Sequence, residues 1–308
     1  MTARGDARQK DRPTSLAPPP NMPKSLSPKV PYLGQRVPPR AAGATLRVVT
    51  WNVNSVRLRI ALVAKLARLA KPDVICLQET KTPDEQFPRA AIARLGYPHQ
   101  FVHGMKGYNG VAVLSRHPLA LPRRQSWCDR DDSRHVVVEL AGGVELHNLY
   151  VPAGGDIPDP TANPKFAHKL RFLREQGAWW SAQPQAGARK ILVGDLNVAP
   201  LENDVWSHKQ LLDVVSHTPI EVDLLGKLMA SYGWVDAARH VVPPQAKLYT
   251  WWSYRNRDWR LSDRGRRLDH IWLTPALAPA LKAIYVWRGA RDWPNPSDHV
   301  PVIADLAL

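Results

Sequence analysis

Cysteine is scarce in this chain, and long apolar runs are absent. Only two cysteines, Cys76 and Cys128, occur among 308 residues, which excludes a disulfide framework and a cysteine-rich zinc site. Cys76 lies inside an apolar run, where we expect it to pack as a small hydrophobic residue. No segment has the length of a membrane span or the apolar centre of a secretory signal, so we expect a protein of the reducing cytoplasm that does not enter a membrane.

Aliphatic periodicity is lacking over residues 1–44. Nine of the 29 prolines fall there, together with eight basic and two acidic residues. Such a segment buries too little apolar surface to offset the entropy lost on ordering, so we predict a disordered, proline-rich basic tail and one catalytic domain over residues 45–308. The arginines suit an organelle transit peptide, but the prolines oppose its amphipathic helix. Organelle targeting and a true start at Met22 are therefore the weaker alternatives.

Acidic residues are outnumbered by basic ones, 27 to 42, which gives a formal net charge of +15. This excess predicts an acidic partner, and nucleic acid is the commonest one for so basic a protein. The segment at residues 249–260 strengthens the prediction because it interleaves tryptophan and tyrosine with arginine. Aromatic rings and guanidinium groups of this kind contact phosphates and stack on bases. The alternative places Trp251 in the core and the arginines on a solvated loop.

Oxygen-rich side chains stand directly after short apolar runs. Four runs are too short and too β-branched for helices and predict buried strands: Val48-Val49-Thr50, Val74-Ile75-Cys76-Leu77, Ile191-Leu192-Val193 and Ile271-Trp272-Leu273. Asn52, Glu79 and Asp195 follow the first three runs, so these side chains would converge if the strands end at one sheet edge. Buried carboxylates favour a bound cation, and Mg²⁺ or Mn²⁺ prefers oxygen ligands. Glu79 is the first choice as ligand.

Taken in order, the motifs resemble those of the exodeoxyribonuclease III family of apurinic/apyrimidinic endonucleases, within the endonuclease/exonuclease/phosphatase superfamily. The resemblance runs from about residue 46 to the C-terminus and includes Trp51-Asn52-Val53-Asn54, Leu77-Gln78-Glu79-Thr80, Asn148-Leu149-Tyr150-Val151-Pro152, Gly194-Asp195-Leu196-Asn197, Leu268-Asp269-His270 and Ser297-Asp298-His299-Val300-Pro301. It implies an α/β fold, a four-layer α/β/β/α sandwich of two mixed β-sheets flanked by helices. Helical spacing between strand-like runs, as at Leu62, Leu66 and Leu69, is consistent with that class.

The resemblance also implies a role for individual residues. The metal ligands would be Asn52, Glu79, Asp195, Asn197, Asp298 and His299. The catalytic residues would be Tyr150, Asp195, Asn197, Asp269 and His299, with Asp195 activating a water and Asp269 orienting the imidazole of His299. DNA would contact Arg134, Lys169, Trp251 and Trp252. Alternatives stay open for Asn52, as a turn-capping amide, and for Tyr150, as a packed residue at a strand end. One departure from the family is Ala153, where many relatives carry a polar side chain.

The implied activity is Mg²⁺-dependent hydrolysis of the phosphodiester 5′ to abasic sites in duplex DNA, with 3′-to-5′ exonuclease or 3′-phosphodiesterase activity beside it. The partner would be duplex DNA with abasic or 3′-blocked sites, bound by a monomer that associates with the nucleoid through DNA. Two other functions are weighed: a non-catalytic DNA-binding module on the same scaffold, and a phosphatase that acts on another phosphate ester. The complete set of expected catalytic side chains disfavours the first, and the arginine- and tryptophan-rich segment disfavours the second.

Overall fold

The computed structural model describes residues 33–256 and 258–308. Its strands are β1 (Leu46–Asn52), β2 (Val74–Gln78), β3 (His99–His103), β4 (Val111–Ser115), β5 (Ala120–Arg124), β6 (His135–Leu140), β7 (Val144–Tyr150), β8 (Lys190–Asp195), β9 (Val235–Asp236), β10 (Trp251–Trp252), β11 (Gly265–Arg266), β12 (Asp269–Leu273), β13 (Leu281–Val286) and β14 (Val302–Leu306). Its α-helices are α1 (Ile60–Ala70), α2 (Arg89–Arg94), α3 (Pro164–Ser181), α4 (His208–Leu211), α5 (Pro219–Ser231), α6 (Ala237–Val241) and α7 (Trp259–Ser262).

Two six-stranded mixed sheets form the centre of the fold. The first has the strand order β13-β14-β1-β2-β4-β3, and the second has the order β5-β6-β7-β8-β12-β9. Each sheet contains one parallel pair, β1 with β2 and β7 with β8, while its other pairs are antiparallel. Every residue of β1 is buried, because that strand is covered on both faces. This explains why the central strands read as continuous apolar runs rather than as an alternation.

Helices cover the outer faces of the two sheets. On the first sheet, α1 buries Leu62 and Leu66 in the core cluster that also contains β1, whereas Leu69 is 50% exposed and does not belong to the predicted buried face. On the second sheet, α3 and α5 share a core cluster with Leu192 and Trp272. The predicted four-layer α/β/β/α sandwich is confirmed. Within the described ranges, none of the helices combines the length and the apolar character needed to span a bilayer.

The end of the predicted tail packs against an edge strand of the first sheet. Leu33 forms a parallel bridge with Val286, and the indole nitrogen of Trp287 donates to the carbonyl oxygen of Gln35 at 3.0 Å. Residues 33–36 therefore contact β13 and Trp287, and the predicted boundary at residue 44 stays a prediction. The predicted disorder of residues 1–32 lies outside the described residues.

A chain of buried hydrogen bonds crosses the second sheet. The indole nitrogen of Trp127 donates to His135 Nδ1 at 3.2 Å, so His135 carries its proton on Nε2 and donates to His147 Nδ1 at 3.0 Å. His147 Nε2 then donates to Glu145 Oε1 at 2.8 Å. Burial lowers the pKa of both imidazoles, most strongly that of His135. A further proton on either ring would bring two N–H groups into opposition.

We expect the free energy of unfolding to fall as the pH is lowered from 7.5 to 5.5. The unfolded histidines take up protons below their ordinary pKa of about 6.5, while the folded ones do not, and each such site contributes a slope of up to about 1.4 kcal/mol per pH unit. Urea unfolding across this range measures the slope. His147→Gln should flatten it, whereas His117→Gln, at an exposed position, should leave it unchanged. An unaltered slope in His147→Gln would contradict the assignment of a buried neutral imidazole.

Candidate active site

Side chains at one edge of the paired sheets are joined by an amide. Asn52 ends β1 and Glu79 follows β2 in the first sheet, while Asp195 ends β8 in the second. The Nδ2 of Asn52 donates to Glu79 Oε1 at 2.8 Å and to Asp195 Oδ2 at 2.9 Å. Its Oδ1 accepts from the backbone N–H of Asn54, which fixes this orientation. Asn52 thus presents its donor to two acids, and its predicted role as a metal ligand through Oδ1 stays a prediction.

Glu79 is held by contacts to both of its carboxylate oxygens. Oε1 also accepts from the phenol of Tyr150 at 2.9 Å, and Oε2 forms an ion pair with Lys81 Nζ at 2.8 Å. Burial by itself would raise the pKa of Glu79, but Lys81 and the amide of Asn52 outweigh it and lower that pKa. Glu79 is therefore a carboxylate at neutral pH, as an acidic metal ligand must be.

Asp195 is almost completely buried, with 1% of its surface exposed. Oδ1 accepts from the backbone N–H of Asn197 at 3.0 Å, and Oδ2 lies 3.7 Å from His299 Nε2. Burial raises the pKa of Asp195 to about 7, and the nearby Asp269 adds to this while His299 partly opposes it. Such a carboxyl is protonated more easily than an exposed one, and a cation beside it would favour the ionised form.

Asp269 and His299 form a buried pair. His299 Nδ1 donates to Asp269 Oδ2 at 2.8 Å, and the hydroxyl of Thr250 donates to the same oxygen at 2.6 Å. Burial opposes charge on the ring, yet Asp269 and Asp195 raise the pKa of His299 to about 10. The imidazole is therefore protonated, with its Nε2–H on the side of Asp195. A protonated ring donates hydrogen bonds, so a ligand role for His299 would require loss of this proton, and that role stays a prediction.

The side chains of Asp195, Asp269 and His299, here called the acidic group, suit a divalent metal ion. Asp195, Asp269 and His299 offer ligand atoms that lie within 4.8 Å of one another. Asp269 Oδ1 is buried and has no hydrogen-bond partner among the residues that the structure describes. A buried carboxylate oxygen without a partner is costly, and a cation removes that cost. The sequence prediction gave Asp269 only the orientation of His299, so its free oxygen is an addition to the predicted ligand set.

Two further predicted ligands lie beside this group. Asp298 accepts from the indole nitrogen of Trp251 and from Asn54 Nδ2, each at 3.0 Å, so both of its oxygens have partners. Asn197 has a left-handed backbone (φ 53°), and its Nδ2 donates to the carbonyl oxygen of Val151 at 2.9 Å. Asp298 thus positions Trp251, and the Asn197 side chain remains next to Asp195 at the wall of the cleft.

Tyr150 and Arg134 pack against one another next to Glu79. Burial and the charge of Glu79 raise the pKa of Tyr150 well above 10, so the phenol is neutral and acts as a donor. The guanidinium carbon of Arg134 lies 4.9 Å from the centroid of the Tyr150 ring, and its Nε forms an ion pair with Asp132. Arg134 is partly buried, which leaves part of its side chain accessible to a ligand.

Lys169 does not face solvent, and the prediction that it contacts DNA is wrong. Its side chain is 0% exposed and forms an ion pair with Glu221 at 2.5 Å. Nζ also donates to the carbonyl oxygen of Asn197 at 2.7 Å and to that of Ala153 at 3.3 Å. Burial lowers the pKa of Lys169, although Glu221 opposes the shift. Lys169 therefore supports the loop that carries Asn197 from behind.

Trp251 and Trp252 have opposite environments. Trp252 is 0% exposed, packs on Trp259 and donates through its indole nitrogen to Asp263 at 2.9 Å. It belongs to the core, so its predicted contact with DNA is wrong. Trp251 is partly exposed and lines the cleft above the acidic group. Successive side chains of a strand point to opposite faces, which explains why only one of the two rings reaches the cleft.

The cleft itself has a volume of about 580 Å³ and extends away from the acidic group. Glu79, Asn197, Asp298 and His299 lie in its wall, and so do Arg264 and Arg266, which follow the aromatic and arginine-rich segment in the sequence. Trp206 also lines the cleft, and the sequence analysis gave it no role. Thr250 and Lys81 were missed in the same way. Lys81 is two residues after Glu79 in the sequence, so its position near that carboxylate could have been predicted. No sequence signal links Thr250 to Asp269.

Comparisons with a family model, with the sequences of known proteins and with solved structures agree on the family of this chain. The model of the endonuclease/exonuclease/phosphatase family matches residues 49–299. Exodeoxyribonuclease III of Haemophilus influenzae is 29% identical over 272 residues, which are 85% of this chain and 100% of that protein. An AP endonuclease from Archaeoglobus fulgidus has a TM-score of 0.79 and 31% identity, over 86% of this chain and 100% of that one.

A third relative was solved in a complex with DNA. The 3′ phosphatase NExo from Neisseria, bound to a product DNA hairpin, has a TM-score of 0.78 and 30% identity, over 85% of this chain and 99% of that one. The resemblance predicted from the sequence motifs is confirmed by these matches.

Lys169→Met should destabilise the fold by about 3–5 kcal/mol, because it leaves the carboxylate of Glu221 buried and unpaired. Urea unfolding measures the loss. The double variant Lys169→Met/Glu221→Gln should recover part of it, since the unpaired charge is then removed. Lys227→Met is the matched control: Lys227 pairs with Asp223 on the exposed side of α5, where water screens the interaction, so the loss should be far smaller. Equal losses in the two single variants would contradict the buried pair.

Proposed function

The chain belongs to the endonuclease/exonuclease/phosphatase family, and we propose that it is a metal-dependent DNA repair nuclease of the exodeoxyribonuclease III type. The reaction proposed is hydrolysis of the phosphodiester 5′ to an abasic site in duplex DNA, which leaves a 3′-hydroxyl. Removal of 3′-blocking groups at strand ends would use the same site. A relative that is named a 3′ phosphatase and is bound to product DNA supports this second use.

One observation carries the proposal. Acids from two different sheets, Glu79 and Asp195, are drawn to one amide at the end of a cleft, and the protonated His299 stands beside them. Bringing acids together in a buried site is costly for the fold. Acidic oxygens beside a cationic donor match the needs of phosphate-ester hydrolysis, in which a metal and a hydrogen-bond donor both act on an anionic phosphate.

Mg²⁺ is the proposed cofactor, with Mn²⁺ as the alternative. Glu79, Asp195 and the free Oδ1 of Asp269 offer oxygen atoms, which are the ligands that both ions prefer. When bound, the metal would supply Lewis-acid polarisation of the phosphate oxygens. The pKa of Asp195, which burial raises to about 7, is consistent with a site that is completed by a cation.

The side chains of the chain itself would orient and protonate the reacting groups. Asp195, held by Asn52 and Asn197, would accept the proton of the attacking water. His299, oriented by Asp269, would donate through Nε2 to a phosphate oxygen, and Tyr150 would add a neutral phenolic donor. Because all of these groups come from one chain, a monomer suffices for the reaction.

The positive charge and the walls of the cleft favour DNA over other phosphate esters. Arg255, Arg264 and Arg266 lie in the cleft together with Trp251, which offers guanidinium groups for phosphates and a ring for a sugar or base. An abasic nucleotide lacks the stacking that opposes its extrusion, so it would enter the cleft at low cost. A non-catalytic DNA-binding module would have no use for the buried pair of Asp269 and His299.

Asp195→Asn should reduce cleavage of an abasic duplex by at least about a hundredfold, since the amide cannot accept the proton of the water. Binding to the same duplex should persist, because the change is buried and lies off the basic surface. Gel-based cleavage and fluorescence anisotropy measure the two properties. Asp223→Asn, on the exposed face of α5, should leave both as in the wild type. Retained turnover in Asp195→Asn would refute the role of this carboxylate.

Removal of metal should stop cleavage, and added Mg²⁺ or Mn²⁺ should restore it. Glu79→Gln should raise the Mn²⁺ concentration needed for half-maximal rate about tenfold or more, because a charged ligand is lost. Calorimetric titration with Mn²⁺ alone gives a readout that does not depend on activity. Cleavage that resists a chelator, or equal Mn²⁺ affinity in Glu79→Gln, would overturn the metal site.

A further inference from the structure

Arg266 has an unusual position in the wall of the cleft. It is partly buried, and one of its terminal nitrogens, Nη1, donates to the carbonyl oxygen of Val215 at 2.8 Å and to the hydroxyl of Ser216 at 2.7 Å. Its Nε has no partner among residues 33–256 and 258–308. No ion pair joins it to a carboxylate of those residues. Glu221 acts on it electrostatically, but that acid is already paired with Lys169.

This lack of an acid distinguishes Arg266 from its neighbour. Arg267, the next residue, is 1% exposed and has two carboxylate partners, Asp204 at 2.8 Å and Asp236 at 2.7 Å. Removing a guanidinium from water without a counter-charge is costly, whereas a paired one is compensated. Burial also lowers the pKa of Arg266, in the direction expected for an uncompensated cation. An anionic ligand would provide the missing partner.

The setting of Arg266 places such a ligand next to the reacting phosphate. Its guanidinium carbon lies 5.3 Å from the ring centroid of Trp251, whose indole nitrogen donates to Asp298 at 3.0 Å. Trp251 also pairs with His299 through a backbone bridge. Only one indole therefore separates Arg266 from the acidic group at the end of the cleft.

A second arginine extends the positive wall. The guanidinium carbon of Arg264 lies 4.6 Å from the ring centroid of Trp206, and both side chains line the same cleft. Contact with the indoles holds the two guanidinium groups in place. At Arg266, Nη1 is engaged with Val215 and Ser216 and Nε is buried, so Nη2 is the nitrogen that remains for an acceptor from the cleft. Asp156, an exposed residue, is the acid that lines the cleft on this side, and it forms no ion pair with either arginine.

We propose that Arg266, together with Arg264 in the same cleft, forms an anion subsite for the group that is esterified to the scissile phosphate. This subsite favours 3′-blocking groups that end in a carboxylate or phosphate. The inference rests on the proposed function and deepens it. Hydrolysis adds the oxygen of water to phosphorus and breaks the bond between phosphorus and the 3′-oxygen, which takes up a proton. The phosphorylated blocking group leaves with its anion still paired to Arg266.

A matched pair of substrates tests the subsite. One is a duplex with a nick whose 3′-phosphate is esterified with glycolate, and the other carries 2-hydroxyethanol in place of glycolate, which is nearly isosteric but lacks the carboxylate. The wild type should cleave the glycolate ester with a kcat/KM about tenfold higher, as expected for one charge-assisted hydrogen-bonded pair. This comparison needs no variant.

Variants then assign the preference to Arg266. Arg266→Met should bring the ratio between the two substrates close to one, because cleavage of the glycolate ester then slows more than cleavage of the neutral ester. Arg266→Lys should keep a reduced preference, because it retains the charge but not the planar fork. Arg174→Met, at an exposed position of α3, should leave the ratio as in the wild type.

The outcomes separate the two proposals. Equal cleavage of the two esters by the wild type, or a ratio that survives Arg266→Met, would overturn the anion subsite while the nuclease function stands. If the wild type cleaves neither ester and also fails to cleave at an internal abasic site, the proposed function is overturned, and the subsite with it.

Discussion

The side-chain amide of Asn52 is the interaction on which the rest of the site depends. It donates to two carboxylates that come from different sheets, Glu79 at 2.8 Å and Asp195 at 2.9 Å. Without that donor, two like charges would stand close together in a buried place and repel one another. The face-to-face packing of the sheets brings β1 next to β8, and the amide then determines how the strand ends meet. The packing of the apolar strands thus sets the distance between Glu79 and Asp195, and the amide of Asn52 reduces the repulsion between their carboxylates.

The site balances its charges with fixed partners and leaves part of the balance to the ligands. Lys81 offsets Glu79, and the protonated His299 offsets Asp269 and Asp195. Within the described part of the chain, Oδ1 of Asp269 has no hydrogen-bond partner, and the guanidinium of Arg266, on the other side of Trp251, has no carboxylate partner. A metal ion and an anionic substrate are complementary to these two groups. These unpaired groups lower the stability of the free protein and favour the state in which metal and substrate are bound. This is common in sites whose binding groups are preorganised.

Much of the site was predictable from the sequence, because short apolar runs followed by acids and amides predict strand ends that meet. The fold followed from the same motifs. The errors have physical causes: Lys169 lies on the buried face of α3 with Phe166 and Leu173, a helical spacing that overrides the expectation of an exposed lysine. Trp252 follows Trp251 on a strand and so points the other way. Arg266 and Arg267 differ only in whether acids surround them in space, which the order of residues does not reveal.

The segment at residues 33–44 has a consequence for the first sheet. Its strand β13 stands at the end of the strand order and would otherwise offer unpaired backbone groups to a neighbouring molecule. Leu33, Gly34 and Gln35 occupy that border, and the backbone of Gly289 accommodates the carbonyl oxygen of Gln35 so closely that a methyl group there would collide with it. Leu33 and Gly34 thus cover the backbone of Val286, so at this point the border of the sheet leaves fewer free hydrogen-bonding groups for a neighbouring strand.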